Sequence, residues 1–122
     1  MEPKQVHSKL LGLGAEEIAA KYLINAGFKI INRNIWVGRY GEVDIVAEKN
    51  RKTHFVEIKS LKQNRYYAPE LNFTPAKKKK VANLANYLAN KYGEENFQVD
   101  LIAVELLSEN NFKIRFYQNV NV

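Results

Sequence analysis

The chain has 122 residues, 46% of them hydrophobic and 26% charged, which reads as one globular domain, 1–122, with 1–7 and 118–122 expected to be flexible. Cysteine is absent and only two histidines, His7 and His54, are present, which excludes disulfides, thiolate zinc sites and a His-rich metal centre. A net charge of +6 favours an anionic partner, nucleic acid first. No apolar run reaches the roughly 20 residues of a membrane span, and the first residues lack the apolar core of a signal peptide. No membrane partner and a cytoplasmic location are therefore expected.

The first element is a helix from Ser8 to Ala26. Leu11, Ala15, Ile18, Ala19, Tyr22, Leu23 and Ala26 recur at helical spacing. Ser8 suits the N-cap and Gly27 the C-cap. On the helical wheel Glu17 points away from the apolar stripe, while Glu16 lies at its edge and can look back toward the fold. Both also fit a solvated helix face.

Phe28 to Trp36 reads as a strand, followed by a turn with two glycines, Val37-Gly38-Arg39-Tyr40-Gly41. Glu42 to Glu48 is a second strand, Lys49-Asn50-Arg51-Lys52 a polar turn, and Thr53 to Leu61 a third strand. Such tight connections argue for an antiparallel meander. Residues 62–74 are irregular, with Arg65, Tyr66 and Tyr67. That basic and aromatic mixture suits contact with bases or phosphates, and equally a cover over a sheet edge. Thr74-Pro75 reads as N-cap and N1 of a helix running to Tyr92. Its first turns hold Lys77 to Lys80, where cations oppose the helix dipole. They suit phosphate binding, or form a solvated charge run. Phe97 to Leu107 and Phe112 to Tyr117 are the last strands. The predicted fold class is α/β, an α+β mixed sheet flanked by two helices.

Strand alternation places Glu57 and Lys59 on one face of the third strand and Val56 and Ile58 on the other. If the second and third strands pair as a hairpin, Asp44 converges on Glu57, with Lys59 beside them. Two carboxylates and an ammonium at one point suit a hard divalent cation and a phosphate. An ordinary cross-strand charge cluster, worth about a fraction of a kcal/mol per pair, is the plain alternative. Glu42 shares the face of Asp44 as a reserve ligand, or as a partner for Arg39 or Arg33.

Asp44…Glu57-Ile58-Lys59 on adjacent strands resembles the signature of the PD-(D/E)xK nuclease superfamily, whose core has this same αβββαβ order. A closer resemblance covers nearly the whole chain. Ala15-Glu16, Gly27-Phe28, Asn32-Arg33-Asn34, Gly41 to Ala47, Phe55 to Lys59, Thr74-Pro75 with Lys77, and Asp100 to Val104 are similar to the YraN-like family of small bacterial proteins. Leu61 and Gln98 depart from positions where that family commonly carries a basic residue, which bears on phosphate contacts and not on the acids.

The resemblance implies a restriction-endonuclease-like fold with Asp44, Glu57, Lys59 and Glu16 in the positions of a catalytic constellation. It implies that Asp44, Glu57 and Glu16 hold Mg²⁺ or Mn²⁺. Arg33, Arg39, Arg65, Lys77, Lys78 and Lys80 are the expected nucleic-acid contacts. The expected function is metal-dependent hydrolysis of phosphodiester bonds, most simply in DNA. The alternative is a non-catalytic nucleic-acid-binding or partner-docking module that keeps the fold. A homodimer and a protein partner required for activity are both compatible with the sequence.

Overall fold

The computed structural model describes residues 4–39, 41–62, 75–108 and 111–120, without the side chains of 4–13, 61, 62, 77, 78 and 94. Helix α1 (Lys4–Asn25) leads into strands β1 (Lys29–Trp36), β2 (Glu42–Lys49) and β3 (Lys52–Lys62). Helix α2 (Pro75–Tyr92), a 3₁₀ turn (Glu94–Asn96), β4 (Phe97–Ser108) and β5 (Asn111–Tyr117) follow. The helix expected to begin at Ser8 begins at Lys4, so Ser8 lies inside it. Lys4 and Gln5 are themselves good helix formers.

One five-stranded sheet has the order β1-β2-β3-β4-β5. The first three strands form the expected antiparallel meander. β3 and β4 are parallel, which needs a long crossover, and α2 supplies it. β5 returns antiparallel to β4. The αβββαβ core expected for a restriction-endonuclease-like fold is therefore present, extended by β5 at one edge.

Local chemistry sets the corners. Gly27, at φ +94°, ends α1. The Phe28 N–H reaches the Leu23 carbonyl at 2.9 Å and the Gly27 N–H the Ile24 carbonyl at 3.0 Å. This is the paired bonding of a Schellman cap, with Phe28 and Leu23 meeting in the core. Between β2 and β3, Lys49 and Lys52 are paired across a two-residue loop. Both loop residues, Asn50 and Arg51, have positive φ, the geometry that matches strand twist in a tight hairpin.

The sheet is covered on both faces. Ala15, Ala19, Ala20 and Leu23 of α1 pack on Ile45, Ala47, Val56, Ile102 and Val104. The alanines are small enough to bring the helix axis close to the sheet. Val81, Leu84 and Leu88 of α2 pack on Val46, Phe55 and Val99. Val56 and Ile58 face α1, as alternation predicts, so Glu57 and Lys59 point to the α2 side.

β2 and β3 do not stay paired. Their ladder runs from Lys49↔Lys52 to Ile45↔Val56 and ends there. β2 continues beside β1, with Val43↔Ile35 and Glu42↔Trp36. β3 continues beside β4, from Glu57↔Leu101 to Lys62↔Leu106. The sheet forks at this point, with Asp44 the first residue past the fork on one prong and Glu57 the first on the other.

Candidate active site

Parting the two strands strips the Ile58 N–H of a ladder partner, and a buried N–H without a partner is costly. Asp44 supplies the replacement: its Oδ2 accepts from Ile58 N at 2.8 Å. The carboxylate therefore bridges the prongs, held by β3 backbone while attached to β2. Glu57 directly follows the last paired residue of β3 and stands beside it.

Both acids are half-buried, and burial is the main reason both hold their protons more tightly than usual. The Asp44 pKa is raised by desolvation, against lowering by the Ile58 N–H and the Lys59 and Lys80 charges. Glu57 is pushed from its ordinary 4.5 up to about 7, first by burial and then by the Asp44 charge. With Asp44 ionised, Glu57 must lose its proton against an existing negative charge. Lys80 and Lys59 offset this only in part. A pair of oxygen donors that resist carrying charge together is a pair that a hard divalent cation relieves. In this respect Asp44 and Glu57 fit Mg²⁺ or Mn²⁺.

Lys59 comes to the pair as the strand pattern requires. Lys80 comes from α2. The sequence marks it as a phosphate contact, and the structure also makes it an electrostatic partner of both acids. The parallel crossover explains this. β3 exits the sheet at the fork end, so the chain must start α2 at that end before returning to β4. The β1–β2 turn closes from the other side through Val37 N–H to the Gly41 carbonyl at 2.9 Å. A Cβ on Gly41 would lie 3.6 Å from Lys80 Nζ.

Glu16 joins the neighbourhood one link away. With its amide nitrogen turned toward the acids, Asn34 donates to Glu42 Oε1 at 2.9 Å and to Glu16 Oε1 at 3.0 Å. Asn34 has φ +53°, a conformation Asn tolerates better than most residues. Glu42 in turn raises the pKa of both Asp44 and Glu57. Among the described residues no three acids or histidines form a ready-made cation cage.

The expected nucleic-acid contacts divide. Lys80 is at the site. Arg33 is drawn to α1, where its Nη1 pairs with Glu17 Oε1 at the surface. Arg39 is exposed in the β1–β2 turn. Arg65 and the side chains of Lys77 and Lys78 lie outside the described residues, as do Tyr66 and Tyr67.

One polar cluster escaped the sequence reading. Asp100 is fully buried in β4. Its Oδ2 lies 2.6 Å from His54 Nδ1, and its Oδ1 accepts from Gln98 Nε2 at 2.7 Å and Asn119 N at 2.9 Å. This network pins β3, β4 and the chain after β5 near the β2–β3 turn, away from the fork. The one sequence signal was an acid inside the apolar run Val99 to Val104. It also gives Gln98 a structural task in place of a phosphate contact.

A sequence model of the uncharacterised protein family UPF0102 matches residues 15–104, a span holding Glu16, Asp44, Glu57, Lys59 and Lys80. The chain is 37% identical over 113 residues to a UPF0102 protein of Campylobacter fetus subsp. fetus, covering 92% of this chain and 94% of that one. It is 36% identical over 115 residues to a UPF0102 protein of Geobacter sulfurreducens, covering 93% and 89%. A UPF0102 protein of Syntrophomonas wolfei is 44% identical over 102 residues, covering 78% and 85%. Among solved structures, Pyrococcus furiosus SfsA in complex with Ca²⁺ aligns with a TM-score of 0.45 at 19% identity, covering 91% of this chain and 63% of that one.

Proposed function

We propose, for a chain that belongs to the uncharacterised protein family UPF0102, metal-dependent hydrolysis of phosphodiester bonds in nucleic acid, DNA in the first instance. The observation that carries this reading is the sheet fork, which sets Asp44 and Glu57 side by side with raised pKa values and brings Lys59 and Lys80 to them. Asp44 and Glu57 would hold Mg²⁺ or Mn²⁺, with Glu16 completing the site from α1, directly or through water. The bound ion would polarise the scissile phosphate and lower the pKa of a water.

The chain's own residues supply the rest. The Ile58 N–H fixes the Asp44 carboxylate, so the site is set before substrate arrives. Lys59, rooted in the middle of β3, orients the attacking water or stabilises charge on the phosphate in the transition state. Lys80 lies at the rim, where an ammonium draws in the phosphate backbone. The edge strand β5, with Phe112 and Tyr117 exposed, suits pairing with a second copy.

Purified protein is incubated with single-stranded, duplex and branched DNA in Mg²⁺ or Mn²⁺, beside Asp44→Ala and Glu57→Ala. The reading requires cleavage by the wild type and its loss in both variants. No cleavage of any substrate, or equal cleavage by the variants, ends it. The second reading, a binding module, draws on the absence of a three-acid cluster among the described residues and on exposed Lys79 and Lys80. It requires salt-dependent DNA binding with no metal dependence.

A further inference from the structure

Trp36 is the only tryptophan in the chain and is 74% exposed, the most exposed large hydrophobic side chain among the described residues. A large aromatic ring left in water contributes nothing to the core and is available to a partner, and tryptophan is enriched at interfaces. It ends β1 at the sheet edge, opposite Glu42, on the prong that carries Asp44. The position a Cβ would take on Gly41 lies 4.0 Å from the indole Cζ3 and 3.6 Å from Lys80 Nζ. Ring and ammonium thus flank one point at the mouth of the fork, and glycine keeps the gap between them open. Lys80 also acts electrostatically on both acids.

An aromatic face beside a cation matches a nucleotide: the ring takes the base and the ammonium its phosphate. The base must be unpaired. In a duplex both faces of each base are covered by its neighbours, and exposing one costs about a few kcal/mol. We propose that Trp36 is a stacking platform for an unpaired base beside the scissile phosphate, so that the substrate class is nucleic acid single-stranded at that point. This rests on the nuclease reading and narrows it. The net charge of +6 and Lys80 at the ring's side favour this polyanion over a neutral apolar partner.

Because Trp36 is the sole tryptophan, its fluorescence reports on the site directly. The full chain in EDTA, which prevents cleavage, is titrated with oligodeoxythymidylate of about 15 nucleotides, near the upper end of common single-strand footprints, and with a blunt duplex of equal length. Quenching by the single strand, and much weaker quenching by the duplex, is expected. Anisotropy of the labelled single strand should show Trp36→Ala binding about tenfold more weakly and Trp36→Phe restoring most of the loss. Equal quenching by the duplex, single-strand binding without quenching, or Trp36→Ala binding like wild type each overturns the proposal. Quenching without cleavage removes the nuclease reading and leaves the platform. Cleavage without quenching does the reverse.

Discussion

Replacing Glu57 with Gln should make the protein more stable at alkaline pH while abolishing cleavage. Folded Glu57 keeps its proton up to about pH 7, whereas its ordinary value is 4.5. Between those values the folded chain binds a proton that the unfolded chain has released. Stability therefore falls as pH rises through that window. A shift of this size corresponds to at most about 3 kcal/mol. Part of the field is screened, because the side chain is only half-buried, so about 1–3 kcal/mol is the working range. Glutamine keeps the shape and removes the ionisation. Urea unfolding at pH 4 and pH 8 measures the difference. With a slope of about 1–3 kcal/mol per molar urea, the variant's midpoint should exceed wild type by roughly 1 M at pH 8. The two should nearly coincide at pH 4, where both are neutral at this position. A Glu57→Gln midpoint at or below wild type at pH 8 would refute a buried carboxyl pair at the fork.

Two further outcomes follow from named contacts. Lys80→Ala removes a cation that lowers both acid pKa values. The pH at which Glu57 titrates should rise in carboxyl NMR, and the salt slope of single-stranded DNA binding should drop by about 0.7. Asp100→Ala takes the acceptor from His54, Gln98 and the Asn119 N–H at once. A loss of about 3–5 kcal/mol in denaturant unfolding is expected, with Asp100→Asn milder.

The elements themselves could be read along the chain. Val56 and Ile58 alternate with Glu57 and Lys59, Asn50 sits at a tight hairpin, and Pro75 opens α2. These are local properties of a few neighbouring residues, and local physics decides them. The fork was not legible. Alternation shows which face Asp44 takes, but nothing in β2 shows where pairing with β3 stops. That is decided by which strand each prong follows, a long-range competition between β1 and β4. Lys80 shows the same division. Its charge is plain in the run Lys77 to Lys80, but its reach to Glu57 depends on α2 starting at the fork end of the sheet. Asn34 gave no signal either, because its positive φ and its hold on Glu16 and Glu42 exist only after β1 has paired. Asp100 stood out as a lone acid in an apolar strand, yet two of its three partners, His54 and Asn119, come from β3 and from beyond β5.

The most direct test of the central claim is calorimetric titration of Mn²⁺ into the metal-free protein at pH 8. If Asp44 and Glu57 hold the proposed ion, one ion binds per chain, with affinity falling as pH drops below about 7 and Glu57 regains its proton, and with binding lost in Asp44→Ala. No binding heat at pH 8, or the same isotherm in Asp44→Ala, would contradict a metal site built on Asp44 and Glu57.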